Sequence, residues 1–392
     1  MNLYKSIIKS LIGTALVACA SISDAQDAIN IGVTVSATGP AASLGIPQKN
    51  TVEILKKEIK GVPVNYIVLD DAGDTSTAVK NMRKLISENH IDAIIGSSVT
   101  AASLAMVEVA AETKTPMISM NGNIVVVTPQ EGAKKWAFKT AQNDALMAQA
   151  LKTAMLKLNV KKLAIIGFAD AYGESWAKEM KAALKDFGID VVAIESFARK
   201  DTSVTGQVLK ILSSKPDAVL VATSGTPGAL PNRELRSRGF QGLIFHTHGS
   251  GNGDFLRVCA TACDDVILPI GPVVVAEQLD DDHPSKKIGL EYRKLYDAKF
   301  GEGATNAFGA FLYDATLLVE SSVTKVLEVG LKPGTEEFRV ALRDALEQSN
   351  NVVASQGVFN MTPEDHTGLD ERSRVIVKVK DGKWVLQPDL LK

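Results

Sequence analysis

The feature that most constrains the fold of this chain is a regular alternation of short, apolar, β-branched stretches with longer amphipathic ones. INIGVTVS (29–36) and VNYIVLD (64–70) are continuous apolar runs, and NTVEILKKEI (50–59) between them has the pattern of a helix. Continuous runs are typical of parallel strands that are covered on both faces of their sheet. The alternation of such strands with helices therefore predicts a doubly wound α/β fold.

The same rhythm restarts in the second half of the chain, after a joint at FKTAQND (138–144). A second series runs from KKLAIIGF (161–168) through DAVLVATS (217–224), so we expect two lobes of similar construction. A third region begins at ILPIGPVVVAEQ (267–278) and adds further helices. The final stretch, RSRVIVKVKDGKWVLQ (372–387), predicts a hairpin because Asp-Gly is a strong turn signal between two strands.

The N-terminus differs from the rest of the chain. Lys5 and Lys9 flank the start of a short apolar run, and Ser23-Asp24-Ala25 places small residues at the −3 and −1 positions of a cut after Ala25. This pattern is typical of a secretory signal peptide, residues 1–25, and predicts export to the periplasm. A second interpretation stays open, because Leu16-Val17-Ala18-Cys19 has the form of a lipoprotein processing site with Cys19 acylated. We favour the soluble product.

Two cysteines remain after the signal peptide, Cys259 and Cys263 in VCATACDD. A close pair in an exported protein usually forms a disulfide. Metal ligation is the alternative, but it needs further ligands, and none is near in sequence. We expect a disulfide whose effect is local, since so short a loop restrains the unfolded chain little.

The overall charge argues against a nucleic-acid partner. The 392 residues carry 43 Lys and Arg against 45 Asp and Glu, a formal net charge of −2. No basic excess marks a surface for a polyanion. After the N-terminal segment no stretch approaches about 18 consecutive apolar residues, so we expect the mature protein to be soluble.

Small polar loops follow the predicted strands, at the sheet edge where ligands bind in open parallel sheets. GSSVTAAS (96–103) ends a strand and opens a helix, so the hydroxyls of Ser97, Ser98 and Thr100 and the first-turn amides could bind a carboxylate. An ordinary helix cap is the alternative. NGN (121–123) follows the next strand and is either a polar-ligand loop or a common Asn-Gly turn.

The stretch FHTHGSGN (245–252) contains two histidines, His246 and His248, that strand alternation would place on one face. Such a pair suits zinc or copper, but the remaining histidines lie in unrelated polar contexts, so we expect no metal. No G-x-S-x-G follows a strand, and no phosphate- or dinucleotide-binding glycine motif occurs. We therefore expect neither catalysis nor a cofactor.

Residues 29–390 resemble the periplasmic solute-binding proteins of the branched-chain amino acid ABC transporter family. No single motif carries the resemblance, but an ordered set does, and it covers nearly the whole mature chain. The motifs are INIGVTVSATGPAASLG, VLDDAGDTSTAV, IIGSSVTAASLA, ETKTPMIS, ADAYGESWA, PDAVLVATSG and GVFNMTPEDHTGLD.

The resemblance implies a type I periplasmic binding fold, in which two α/β lobes joined by a three-stranded hinge close on a ligand. It places the first lobe at 27–141 plus 271–354 and the second at 142–270 plus 355–392. It also implies a monomer that delivers a small-molecule ligand to a permease in the inner membrane.

The resemblance further implies roles for individual residues. Thr100 corresponds to the hydroxyl that holds the ligand carboxylate, Asn121–Asn123 to a ligand-binding turn, and Tyr172 and Ser224 to contacts from the second lobe. The complete set of ligand-binding residues that we predict is Leu44, Ser98, Thr100, Ala101, Asn121, Gly122, Asn123, Tyr172, Ser224 and His248.

His248 marks a departure from that family. Its amino-acid binders place an acidic residue at this position to pair with the α-ammonium, and histidine cannot supply a buried negative charge. The HTHG context is similar to family members thought to take aromatic acids. We therefore expect a small carboxylate without a free α-amine, an aromatic or keto acid. The alternatives are a branched-chain or other amino acid or amide, or an extracytoplasmic sensor subunit; a hydrolase or metalloenzyme is a distant third.

Overall fold

The structure of the protein is a computed structural model, and it describes residues 28–391. The predicted signal peptide at 1–25, its cut after Ala25 and the alternative site at Cys19 lie outside these residues and stay predictions. Within residues 28–391, no helix has the length and apolar character that crossing a membrane requires.

The strands follow the two series that the sequence predicts. In chain order they are β1 (Ile29–Val35), β2 (Glu58–Ile59), β3 (Val62–Asp70), β4 (Ala93–Ile95), β5 (Met117–Ser119), β6 (Ala137–Lys139), β7 (Lys162–Phe168), β8 (Asp190–Phe197), β9 (Ala218–Ala222), β10 (Leu243–His246), β11 (Ile267–Ile270), β12 (Val352–Val353), β13 (Val358–Phe359), β14 (Val375–Lys380) and β15 (Lys383–Leu386).

The α-helices lie between the strands and in the third region. They are α1 (Ala42–Val52), α2 (Thr75–Asn89), α3 (Thr100–Glu112), α4 (Asp144–Lys157), α5 (Ala171–Leu184), α6 (Thr205–Ser213), α7 (Ala229–Ser237), α8 (Gly253–Cys259), α9 (Lys286–Phe300), α10 (Ala307–Glu328) and α11 (Glu336–Glu347).

The strands form two main sheets, each the centre of one lobe. The first lobe contains the order β2-β3-β1-β4-β5-β6, in which all neighbours are parallel except β2 and β3. The second contains β15-β14-β11-β10-β9-β7-β8, parallel from β11 to β8 and closed at the other edge by the antiparallel hairpin β14–β15. The central strands are fully buried, as their continuous apolar runs require.

The chain passes between the two sheets three times, after β6, after β11 and before β14. The three crossings touch one another. A Cβ on Gly271 would lie 1.9 Å from Gln356 Oε1 and 2.8 Å from Gln142 Nε2, so only glycine fits where they meet. The predicted fold class, two doubly wound lobes with a three-stranded hinge, is confirmed. The exact lobe boundaries, 27–141 plus 271–354 and 142–270 plus 355–392, stay a prediction.

One predicted element was placed wrongly. The helix expected at 50–59 is α1, which ends at Val52, and Glu58–Ile59 is already the short strand β2. Gly45 and Pro47 suggest a loop, yet both lie inside α1. Gly45 is required by packing, because a Cβ there would lie 2.2 Å from the carbonyl group of Ser36. The helix is buried on several sides, and its sequence therefore lacks the polar stripe that marks a surface helix.

The C-terminal hairpin has the predicted turn. Asp381 and Gly382 join β14 to β15 and both have positive φ, the conformation that an Asp-Gly hairpin turn needs. Elsewhere in the second lobe, Cys259 and Cys263 are joined by a disulfide that closes the end of α8.

The first lobe depends on helices from the third region of the chain. The Thr51 hydroxyl on α1 lies 2.9 Å from the Tyr292 hydroxyl on α9 and 3.3 Å from the carbonyl oxygen of Gly309 on α10. Most of α10 is buried, and α11 packs on it. The first six strands therefore cannot bury their apolar face without residues that come much later in the sequence.

We predict that a fragment of residues 28–141 does not fold alone, because it lacks α9, α10 and α11. Expressed by itself, it should show no cooperative thermal transition by circular dichroism. Limited proteolysis of the intact protein should likewise release no stable piece ending near residue 143. A fragment that unfolds cooperatively would contradict this dependence.

Candidate functional site

The carboxyl ends of the strands of both sheets meet between the lobes, and we call the space they enclose the cleft. Leu44 of the first lobe packs on Gly225 of the second, where a Cβ would approach the leucine Cδ1 to 2.6 Å. Most of the predicted ligand-binding side chains are buried here, each no more than 8% exposed: Leu44, Ser98, Thr100, Asn121, Asn123, Tyr172, Ser224 and His248. Ala101 is the exception. Its side chain is exposed, so it can contribute only its backbone amide.

The first lobe presents the N-terminus of α3 to the cleft. The residue before the helix, Val99, has no side-chain acceptor for the first-turn amides, which therefore keep their hydrogen-bonding capacity. Thr100 Oγ1 accepts a hydrogen bond of 2.9 Å from Asn121 Nδ2. A hydroxyl that accepts in this way still has its own proton to donate. This end of the cleft thus offers several unpaired donors and the positive end of a helix dipole.

The two asparagines of the turn after β5 connect this turn to the α3 loop and to the second lobe. Asn121 Nδ2 also donates to the carbonyl oxygen of Ser98, and its Oδ1 accepts from the Asn123 amide, so it fastens the α3 loop to the turn. Asn123 Nδ2 donates across the cleft to the carbonyl oxygen of Ala171 at 3.1 Å. These residues therefore shape the first lobe and contact the second.

In the second lobe, the Tyr172 hydroxyl donates to Thr247 Oγ1 at 2.9 Å, which fixes the ring at the start of α5. Ser224 Oγ accepts from Arg199 Nη1 at 3.0 Å. Arg199 was not predicted from the sequence. It forms an ion pair of 2.6 Å with Asp170, and its guanidinium lies 3.9 Å from the ring centroid of Phe168.

The two histidines of the FHTHGSGN stretch have different surroundings, contrary to the alternation argument. Strand β10 ends at His246, and His248 begins a short 3₁₀ turn, so the strand period does not reach it. His246 is fully buried, contacts Ser250 and Asn232 through its two ring nitrogens, and packs against Phe255. It is a structural residue of the second lobe. Only His248 reaches the cleft.

His248 packs directly against the turn of the first lobe. A Cβ on Gly122 would lie 2.5 Å from His248 Nε2 and 2.8 Å from its Cε1, so the imidazole occupies the space that any side chain at 122 would need. The ring lies 5.7 Å from that of Trp176. Burial, with the nearby charge of Lys139, lowers the pKa of His248 to about 3, and the imidazole is therefore neutral in the closed cleft.

A buried pair of opposite charges lies behind Gly122 and was also missed from the sequence. Lys139 Nζ donates to the carbonyl oxygen of Gly122 at 2.9 Å and to Asn143 Oδ1 at 2.6 Å. Asp144 donates its backbone amide to the same carbonyl, and its Oδ2 accepts from Ser175. Burial raises the pKa of Asp144 and lowers that of Lys139, while each charge favours the other. The pair adds no net charge to the cleft.

A further cleft residue, Gln48, was missed although a weak signal existed. It lies four residues after Leu44, on the same face of α1. Its Nε2 donates to Ser98 Oγ, and its Oε1 is buried without a hydrogen-bond partner in the described part of the chain. Lys139 and Asp144 had no such signal, because FKTAQND reads only as a joint between the lobes.

Within residues 28–391 no group of three or more His, Cys, Asp or Glu side chains is arranged to hold a metal ion. Instead, two hinged α/β lobes enclose buried hydroxyls, amides and one neutral imidazole between their strand ends. This arrangement defines a two-lobed binding protein that takes a small polar ligand.

The chain belongs to the periplasmic binding protein family, whose model matches residues 28–383. A curated relative, Leu/Ile/Val-binding protein homolog 3 from Brucella melitensis, is 25% identical over 98% of this chain and 99% of its own length.

Solved structures agree with this assignment. An extracellular ligand-binding receptor from Rhodopseudomonas palustris HaA2 is 42% identical, with a TM-score of 0.89 over 92% of this chain and 100% of that one. An ABC transporter solute-binding protein from R. palustris in complex with benzoate has a TM-score of 0.76 at 21% identity, over 92% and 96% of the two chains. These relatives are binding or transport proteins, so this protein is a ligand-binding receptor of that family and not an enzyme.

We predict that Gly122→Ala weakens ligand binding while leaving the fold intact. The added methyl group would meet His248 Nε2 at 2.5 Å, whereas the φ of Gly122 suits alanine, so the lobes fold but cannot close fully. Overpacking of this kind costs about 1–3 kcal/mol, or roughly a tenfold loss of affinity. Gly206→Ala on α6, with open space around its Cβ, is the matched control.

The measurement is calorimetric titration of wild type and both variants with whichever of phenylpyruvate, 4-methyl-2-oxopentanoate and benzoate binds wild type most tightly. Equal dissociation constants for Gly122→Ala and wild type would mean that the ligand-bound protein does not bring His248 onto Gly122.

Proposed function

We propose that this protein is the substrate-binding component of an ABC importer, and that its ligand is a small carboxylate without a free α-amine, such as an aromatic or keto acid. The proposal includes a permease of the inner membrane as partner and a monomeric binding protein in the periplasm. It rests above all on the distribution of charge around the cleft.

Two carboxylates close to the cleft, Asp144 and Asp170, are already balanced by a cation. Asp144 lies beside Lys139, and Asp170 forms an ion pair with Arg199. His248, at the position where the resembling amino-acid binders carry an acid, is neutral. An ammonium group enclosed here would lack a counter-charge, and burying an unpaired charge costs several kcal/mol.

The unpaired donors favour an anion instead. The Thr100 hydroxyl and the first-turn amides of α3 lie together at one end of the cleft, and charge-assisted hydrogen bonds from such groups suit a carboxylate. The aromatic rings of Tyr172 and Trp176, whose centroids are 6.5 Å apart, pack together in the second lobe, and Trp176 lies next to His248. A flat acid with an apolar body matches both features.

The relatives support two ligand classes. The benzoate complex is that of a protein with the same fold. The Leu/Ile/Val-binding name of the B. melitensis relative keeps a branched-chain amino acid as the second candidate. Both classes carry a carboxylate, so the α-amine is what distinguishes them.

We predict that acids without an α-amine bind and that their amino counterparts do not. Calorimetry should compare phenylpyruvate with phenylalanine and 4-methyl-2-oxopentanoate with leucine, with benzoate as a further acid. Each pair has nearly the same shape, so a difference in affinity within the pair reports the effect of the ammonium group. An unpaired ammonium should weaken binding by roughly a hundredfold, about 3 kcal/mol. Tight binding of leucine, with no binding of any of the acids that lack an α-amine, would contradict the proposal and indicate an amino-acid-binding protein.

We predict that Thr100→Val weakens carboxylate binding about tenfold, because a charge-assisted hydrogen bond contributes about 1.5–3 kcal/mol. The swap conserves shape and leaves Asn121 bonded to Ser98. Thr153→Val on α4, whose hydroxyl bonds only to the backbone of its own helix, is the control. An unchanged dissociation constant for Thr100→Val would reduce Thr100 to a structural residue.

A further inference from the structure

Two buried side chains of the second lobe approach the same face of Gly122. His248 Nε2 and Asp144 Oδ1 would lie 2.5 and 2.9 Å from a Cβ at that position, so the two atoms are close neighbours. They come from separate elements, the turn after β10 and the start of α4. No hydrogen bond joins them directly in this structure, and one bridging water would link them.

The Asp144 carboxylate has one oxygen in use and one free. Oδ2 accepts from the Ser175 hydroxyl at 3.0 Å, whereas Oδ1 is buried without a hydrogen-bond partner among the described residues. An ionised carboxylate can only accept hydrogen bonds. Burial raises the pKa of Asp144 to about 7 and the charge of Lys139 opposes that rise, so the carboxyl is largely ionised at pH 8. The neighbour that Oδ1 needs is therefore a donor. Two buried donors are candidates: an N–H of His248, and the indole N–H of Trp176, which has no hydrogen-bond partner within residues 28–391 and helps to lower the pKa of Asp144.

His248 can be that donor through only one of its nitrogens. Trp176 and the turn at Gly122 surround the ring, Lys139 is the cation that acts on it, and the residue is only 5% exposed. A neutral imidazole carries its proton on one nitrogen and accepts at the other. Nδ1 is buried and has no partner within residues 28–391.

From this geometry we infer that Asp144 is a positioning residue for His248: it holds the proton on Nε2, so that Nδ1 accepts a hydrogen bond from a donor group of the ligand. The inference rests on the proposed function, which supplies the carboxylate ligand, and adds a requirement to it. The ligand carries a hydroxyl or N–H group on its body in addition to the carboxylate that Thr100 binds.

An isosteric substitution that removes the carboxylate charge tests the positioning role. In Asp144→Asn, the side-chain oxygen can still accept from Ser175 while the amide NH₂ faces His248. An NH₂ group donates, so it would force Nε2 to accept and move the ring proton to Nδ1. The matched control is Asp92→Asn, a buried carboxyl that accepts from the amides of Asn30 and Gly334 on the far side of the first lobe.

The first measurement determines which ring nitrogen of His248 carries the proton, with and without one test acid. Nitrogen-15 NMR of histidine-labelled protein at pH 8, saturated with 4-hydroxybenzoate or left free, distinguishes the two neutral tautomers. We expect the Nε2–H form for wild type and for Asp92→Asn, and a shift to Nδ1–H in Asp144→Asn. A wild-type His248 in the Nδ1–H form would overturn the inference, whatever happens to the variants.

The second measurement compares affinities of 3- and 4-hydroxybenzoate with those of their methyl ethers, which accept but cannot donate. Wild type should prefer at least one hydroxy acid about three- to tenfold, the effect of one buried hydrogen bond. Asp144→Asn should lose or reverse that preference, and Asp92→Asn should keep it. The same preference in Asp144→Asn would refute the positioning role while leaving the proposed function standing, whereas no binding of any carboxylate to wild type would refute both.

Discussion

The contact between the three hinge crossings is the constraint on which the rest of the structure depends. Gly271 lies against the amide groups of Gln142 and Gln356, and no larger residue would let the crossings meet. Gln142 Nε2 donates to two backbone carbonyls of the third crossing, those of Gln356 and Ser373. On the first lobe, Asp314 accepts hydrogen bonds from the Ser355 amide and hydroxyl and from the Gln356 amide. The hinge is thus tied together by polar groups that are all buried.

This hinge brings the strand ends of two sheets face to face, and their polar groups become buried when they meet. The charges that enter the cleft are arranged in opposite pairs, Lys139 with Asp144 and Arg199 with Asp170. Since paired charges cancel at a distance, a ligand is discriminated by individual donors and acceptors rather than by a net field. We therefore propose that a histidine, where the resembling amino-acid binders carry an acid, favours a different ligand.

The sequence predicted the two-lobed fold, and the structure brings most of the predicted site residues together, because strand periodicity and polar loops at strand ends are local signals. It placed α1 too late in the sequence. Gly45 and Pro47 usually break helices, but here tertiary packing keeps both residues inside α1. It grouped His246 with His248, although the strand ends between them. Asp144 and Lys139 were missed for a different reason. Both residues donate hydrogen bonds to the carbonyl oxygen of Gly122, a contact that no pattern within FKTAQND predicts.

The hydrogen bonds described below cross the cleft between neutral groups, so each contributes little to closure and we expect the ligand to decide it. The contacts across the cleft include the Asn123–Ala171 hydrogen bond and one of 3.3 Å from the Thr226 amide to Ser43 Oγ. Neutral hydrogen bonds of this kind contribute only about 0.5–1.5 kcal/mol each, because water satisfies the same groups in the open form.

A ligand that bonds to Thr100 on one lobe and to His248 on the other adds its binding free energy only to the closed form. It therefore shifts the equilibrium by its differential affinity for that form. Residues that set how closely the lobes approach, above all Gly122, would consequently contribute to affinity beyond any contact with the ligand itself.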